Sequence, residues 1–224
     1  SIAIITTGDE LIQPGQPLQY GKIYESNSVM LTSAIKSMGY NEVSLHKVKD
    51  NFEDTFNIIN EALEHNDLVL ISGGISVGDY DFVGKAVKEL DVKQIFYKVK
   101  QKPGKPLFFG KKDNTLLFAL PGNPAAALSC FYVYVQQCLQ RISGNINFEL
   151  PKIEAKSATN FIKKGDRAQF LKGILSNGGV IILEGQSSAM LQTFALANAL
   201  VFVPAATKEI TKNDMVTVIP LPNN

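Results

Sequence analysis

The chain has 224 residues, 45% hydrophobic and 19% charged, with 22 Lys and Arg against 21 Asp and Glu for a net charge of +1. This composition suits a globular protein with apolar surface for one or two cores and excludes disordered, collagenous and coiled-coil chains. The neutral balance argues against nucleic acid as a partner, no apolar run approaches the ~20 residues of a membrane span, and no signal-like segment opens the sequence. A cytoplasmic protein is expected.

Ile2-Ala3-Ile4-Ile5, closed by Thr6-Thr7-Gly8, reads as a strand buried on both faces of a parallel sheet. Residues 28–38 carry helical apolar spacing, with Ser26 or Asn27 as cap and Gly39 as stop. Residues 43–48 alternate as a strand, residues 52–63 are helical, and Leu68-Val69-Leu70-Ile71 repeats the buried-strand pattern. This order predicts a three-layer α/β domain with a mostly parallel sheet and right-handed crossovers. A helix over 82–90, a strand over 95–100 and a hairpin around Lys112-Asp113-Asn114 follow. A long helix over 124–142 has Asn123 as cap, Pro124 at its first position and Gly144 as stop. The first domain is expected over residues 1–145.

From Pro151 short β runs take over, at 153–158, 169–175, 180–183, 200–203 and 215–221, with Ser176-Asn177-Gly178-Gly179 the clearest hairpin turn. They predict a small barrel-like all-β domain over residues 146–224. Cys130 and Cys138 stand eight apart in one apolar segment, about 12 Å on a helix, too far to bridge. His46 and His65 have no ligand-like neighbours, which argues against zinc and against His-based nucleophilic chemistry.

Ligands of open α/β sheets bind beyond the carboxyl ends of the strands. Thr7-Gly8-Asp9-Glu10, Asp50-Asn51 and the stretch from Ser72 to Asp79 should converge there, and Leu120-Pro121-Gly122-Asn123-Pro124 also follows a strand. The glycines between Ser72 and Gly78 would let backbone amides approach a phosphate; a tight strand-to-helix turn explains them equally well. Asp9, Glu10, Asp50, Asp79 and Asp81 would suit Mg²⁺ beside a phosphate, or cap helices. Lys98, Lys100 and Lys102 alternate on one strand, with Lys105 beyond Pro103-Gly104. They form a positive wall for an oxyanion or guard an edge strand.

Taken in order, these blocks resemble the molybdopterin molybdenumtransferase family, of the MoeA and gephyrin E-domain type. The resemblance is carried by Thr7-Gly8-Asp9-Glu10-Leu11, Gly21-Lys22-Ile23-Tyr24 with Ser26-Asn27, the run from Ser72 to Phe82, Lys102-Pro103-Gly104-Lys105-Pro106 and Leu120-Pro121-Gly122-Asn123-Pro124. The last two blocks separate it from CinA-like nucleotide-processing enzymes. Gln186-Ser187-Ser188, Leu191, Ala197-Asn198 and Pro204 resemble the family's C-terminal domain.

The resemblance implies a reaction of adenylylated molybdopterin with molybdate that yields molybdenum cofactor and AMP, assisted by Mg²⁺ or another divalent cation. It implies Glu10, Asp50 and Asp81 as functional and metal-binding carboxylates, Lys98 and Lys102 as anion-site lysines, Pro121 and Pro124 as the active turn, and Ser188 as a functional residue of the β domain. Thr7, Gly8, Ser72, Gly73, Gly74, Ser76, Gly78, Lys105, Gly122 and Asn123 would bind the pterin substrate. No general acid or base is implied. The resemblance further implies a homodimer, two additional N-terminal domains in full-length members, and a cleft completed by an N-terminal domain of the partner subunit. The alternative is therefore a molybdopterin-binding or scaffolding fragment without turnover.

Overall fold

The apolar runs become strands where the sequence places them. The computed structural model describes residues 1–75 and 82–222. The chain divides into two compact units, Ser1–Val99 with Pro106–Leu128, and Lys100–Lys105 with Ser129–Asn224. That division differs from the expected boundary after residue 145. Segment 100–105 pairs with a strand of the second unit, and the aromatic half of the long helix packs there too, Tyr132 against Phe194 with ring centroids 6.4 Å apart.

The first unit contains β1 (Ile2–Thr7), β2 (Leu11–Ile12), β3 (Ile23–Tyr24), α1 (Asn27–Ser37), β4 (Val43–Val48), α2 (Phe52–His65), β5 (Leu68–Ser72), α3 (Phe82–Glu89) and β6 (Lys93–Tyr97). After β7 (Gln101–Lys102), which belongs to the second unit, come β8 (Phe108–Lys112) and β9 (Thr115–Leu120), joined by the two-residue turn Asp113-Asn114. Six strands form one sheet in the order β4-β1-β5-β9-β8-β6, parallel through the first four. Period two splits the central strands between two cores. Ala3, Ile5, Val69, Ile71, Leu117 and Ala119 share a cluster with Ile59, Ala62 and Leu63 of α2 and Val83, Ala86 and Val87 of α3. Ile4, Leu68 and Leu70 point the other way and are also fully buried, with Leu31 and Ile35 of α1. This is the expected three-layer arrangement.

Two local expectations change. Ser26 takes the N-cap position of α1 but makes no side-chain cap bond: the buried Glu25 carboxylate accepts from the Ser28 amide (2.8 Å) and the Ser28 hydroxyl instead. The helix over 124–142 is α4 (Pro124–Cys130), a π-helical segment (Phe131–Val135) and α5 (Gln136–Ile142).

The second unit contains β10 (Ile153–Ser157), β11 (Phe161–Ile162), β12 (Ala168–Ser176), β13 (Gly179–Ile182), α6 (Gln192–Leu196), β14 (Ala199–Val203), β15 (Glu209–Ile210) and β16 (Met215–Pro220). The order β13-β10-β16-β14-β12 closes through a β12–β13 pairing, giving a five-stranded barrel to which β7 adds beside β12. The β12–β13 hairpin turns on Asn177 and Gly178, both at positive φ, as a two-residue turn of that type requires. No helix among the described residues is long and apolar enough to cross a membrane.

Candidate functional site

Register brings the carboxyl ends of four parallel strands to one rim of the first unit. Thr7 lies beside Val48, Thr6 beside Ser72, and Ser72 beside Leu120. The segments that leave this rim are Gly8 to Glu10, Lys49 to Asn51, Gly73 to Ile75, and Pro121 to Asn123, so the described parts of the three stretches expected to converge do so, and the Pro121 turn joins them.

The rim is closely packed because side chains are missing where loops touch. Gly73 has φ +94°, and a Cβ there would sit 2.5 Å from the Thr7 carbonyl oxygen. Gly74, at φ +64°, would place one 2.7 Å from methyls of Thr7 and Val83. The Gly73 amide donates to the Leu120 carbonyl (3.5 Å), and a Cβ on Gly122 would lie 3.7 Å from the Gly73 Cα. Asn27, at the start of α1, donates through Nδ2 to Ser72 Oγ (2.8 Å) and to the Gly122 carbonyl (2.7 Å). Its Oδ1 is buried with no hydrogen-bond partner among the described residues. Pro124 opens α4, whose first turn begins on the Asn123 carbonyl, which accepts from the Ala126 and Ala127 amides. Pro121 is buried beside it.

Asp50 is not a helix cap. Asn51 caps α2 by accepting from the Asp54 amide (2.9 Å), which leaves the Asp50 carboxylate to the rim. There it accepts from the Thr7 hydroxyl and from the Asp9 amide (3.2 Å), and the Asp50 amide donates back to Asp9 Oδ1 (3.3 Å). Glu10 folds over Gly8, whose Cβ would meet Glu10 Oε2 at 2.8 Å. Among the described residues no three His, Cys, Asp or Glu side chains gather as a metal site, and both Asp50 oxygens already accept hydrogen bonds. Of the carboxylates expected to hold a divalent cation, Glu10 and Asp50 lie on this rim, and each Asp50 oxygen keeps a second lone pair that such an ion could use. Ser76, Gly78, Asp79 and Asp81 lie outside the described residues.

The lysine wall does not form on one strand. β6 stops at Tyr97, and Lys98 adopts φ +61° with its ammonium 4.9 Å from the Tyr97 ring centroid. Lys100 pairs with Asp166 (2.8 Å), and Lys102 sits in β7 beside Gln169. Lys102 and Lys105 flank Pro103-Gly104, with a cis Lys102–Pro103 bond and Gly104 at φ +83°. Lys98 thus belongs to the first unit, and Lys102, Lys105 and Ser188 to the second.

In that second unit the loop bearing Ser188 is tied to β12 by a residue that sequence reasoning missed. Lys172 is 4% exposed, and its ammonium donates to the carbonyls of Gly185 (2.9 Å), Ser187 (3.4 Å) and Met190 (3.1 Å), 5.6 Å from the Phe194 ring centroid. Burial holds its pKa below the ordinary lysine value. Gln186 reinforces the tie, accepting from the Lys172 amide and donating to the Lys172 carbonyl, each at 2.9 Å. The available signal was one charge inside the apolar run from Phe170 to Leu175. From the sequence Asn27 reads as a candidate helix cap and as part of a matched block, and its bracing role comes from pairing across elements.

Two family models match the chain: the probable molybdopterin binding domain over residues 3–141, and the MoeA C-terminal region (domain IV) over residues 154–221. The chain is 32% identical over 225 residues to a molybdopterin molybdenumtransferase of Haemophilus influenzae, covering 98% of this chain and 55% of that protein. A molybdopterin molybdenumtransferase of Staphylococcus epidermidis is 31% identical over 229 residues, covering 100% and 54%. The solved molybdopterin biosynthesis MoeA protein of Pyrococcus horikoshii superposes with a TM-score of 0.83 at 28% identity, covering 100% of this chain and 55% of that one. The chain spans about half the length of the curated relatives it matches. With residues 3–141 matching the molybdopterin-binding model and the barrel matching domain IV, the chain belongs to the molybdopterin molybdenumtransferase family.

Proposed function

We propose that this chain carries the pterin-binding part of an enzyme of molybdenum cofactor biosynthesis, which transfers molybdenum from molybdate into adenylylated molybdopterin and releases AMP. The observation that carries the reading is the rim of the parallel sheet. Gly73 and Gly74 pack the loop against Thr7 and carry no side chain of their own to keep a phosphorylated ligand away, and the Thr7 hydroxyl and Asp9 amide hold the Asp50 carboxylate in one orientation on the same rim. Such fixed groups act by positioning and electrostatics, with no proton transfer assigned to any of them. A divalent cation and a homodimer belong to the same proposal.

The test mixes the chain with adenylylated molybdopterin and measures AMP release with and without molybdate, in Mg²⁺ and in EDTA, beside direct molybdopterin binding. Molybdate-dependent release establishes transfer. Binding without release reduces the proposal to a pterin-binding unit, and absence of both overturns it. Asp50→Asn should weaken molybdopterin binding about tenfold, because one of its two acceptor oxygens becomes an NH2 donor and the tie to Thr7 or to the Asp9 amide is lost.

A further inference from the structure

A cavity of about 620 Å³ opens beside the rim, lined by Gly8, Asp9, Lys22, Lys47, Val48 and Lys49. Half of its lining residues are lysines, in a chain whose net charge is only +1. Two of the three ammonium groups are anchored to backbone carbonyls. Lys22 donates to the Asp9 carbonyl and Lys47 to the Leu11 carbonyl, each at 2.7 Å. Lysines that merely guard an edge strand extend into water; these are folded onto the backbone of the loop that bears Gly8 and Glu10. Carbonyl partners orient an ammonium without neutralising it and leave two of its three protons for another acceptor. None of the three forms an ion pair among the described residues. The one acid in the lining, Asp9, turns Oδ1 to the Asp50 amide. The lining therefore carries a net charge of +2, three lysines against Asp9, with Lys22 and Lys47 held in place.

We propose that Lys22, Lys47 and Lys49 form a subsite for a tetrahedral oxyanion, built from residues other than those of the Ser72–Gly74 turn. This rests on the pterin-binding reading for its physiological ligand, since a substrate phosphate and free molybdate share the required chemistry. The order of attachment follows from the anchors: Lys22 and Lys47 fix the position, and Lys49 supplies a third cation whose ammonium has no backbone anchor among those described.

The full chain is titrated calorimetrically with inorganic pyrophosphate and, separately, with molybdate. K22Q/K47Q/K49Q should lose about tenfold or more in affinity for at least one anion, and K49Q alone about threefold, with the loss shrinking at high salt. K49Q keeps both backbone anchors, so it tests the idea even where the triple variant fails to fold. Lys111→Gln, on β8, changes the charge equally elsewhere and should leave binding unchanged. Loss confined to pyrophosphate assigns the subsite to a substrate phosphate, and loss confined to molybdate assigns it to the inorganic ion. Equal binding by wild type and K49Q, or an equal loss in Lys111→Gln, overturns the proposal. If wild type fails to bind molybdopterin while the lysine variants still lose pyrophosphate, the subsite stands and the pterin reading falls. If molybdopterin binds and pyrophosphate ignores the lysines, the reverse holds.

Discussion

The rim of the parallel sheet and the Ser188 loop of the barrel hold polar groups in place by opposite means. At the rim the loops brace one another backbone to backbone, and the fit depends on side chains that are absent: at Gly73 a single Cβ would occupy the space of the Thr7 carbonyl. In the barrel the loop is shaped around a side chain that is present, the Lys172 ammonium that satisfies three carbonyls at once. The first device tolerates no added atom, and the second no lost charge. Each leaves a different signature on mutation, global in one case and local in the other.

The largest effect is expected from Gly73→Ala. It combines a disfavoured φ of +94° with a 2.5 Å overlap against backbone, and the neighbouring strand cannot yield. A destabilisation of about 3 kcal/mol or more is expected in denaturant unfolding, together with loss of molybdopterin binding. A stable Gly73→Ala variant with intact binding would break the comparison at its first term. Lys172→Met comes next, at about 2–3 kcal/mol, because it keeps the volume and leaves buried carbonyls without a donor. Its distinguishing readout is hydrogen exchange: amides of residues 185–190 should exchange faster while those of β1 keep their protection.

Asn27→Ala sharpens the comparison from within the rim. It removes the two bonds that link α1 to Ser72 and Gly122 without touching any glycine, and about 1–2 kcal/mol is expected. If the rim is braced mainly by backbone contact, molybdopterin affinity should fall less than in Gly73→Ala. An equal fall would mean that Asn27 holds the loops as firmly as their packing does.

The elements that the sequence disclosed are those fixed by neighbours in the chain. Leu68 to Ile71 could only be a doubly covered strand, and Asn177-Gly178 a two-residue turn, because period and positive φ are local properties. Lys98, Lys100 and Lys102 misled because alternation counts residues and does not see that β6 ends at Tyr97. The pairing that captures Gln101 and Lys102 comes from Ala168 and Gln169, far along the chain. Asp50 was ambiguous for a similar reason. Asp and Asn are both good caps, and only the bond from the Asp54 amide to Asn51 shows which one is spent on the helix. The convergence of Thr7, Asp50 and Ser72 was legible because parallel strands deliver their carboxyl ends to one side, and Gly122 joins them through the β5–β9 pairing. The Asn27 brace and the Lys172 clamp were not, since each joins segments that no spacing relates.

The smallest effect concerns a third way of holding a loop, intermediate between the other two. The Tyr134 hydroxyl donates to Gln101 Oε1, while Gln101 Nε2 donates to the Pro103 carbonyl (3.1 Å) and Arg167 to the Gln101 carbonyl (3.0 Å), so one tyrosine secures the turn between Lys102 and Lys105. Tyr134→Phe loses one neutral hydrogen bond and leaves a buried amide oxygen short of a donor, which costs about 1 kcal/mol at neutral pH. Burial, with a contribution from Cys130, pushes the Tyr134 hydroxyl from the ordinary 10.0 up to about 12. The folded state therefore holds this proton more tightly than the unfolded chain. Its contribution is complete below about pH 10 and is lost as pH rises towards about 12. Denaturant midpoints of wild type and Tyr134→Phe should accordingly differ below pH 10 and draw together above it. A constant difference across that range would show that the hydroxyl proton is not what holds the turn.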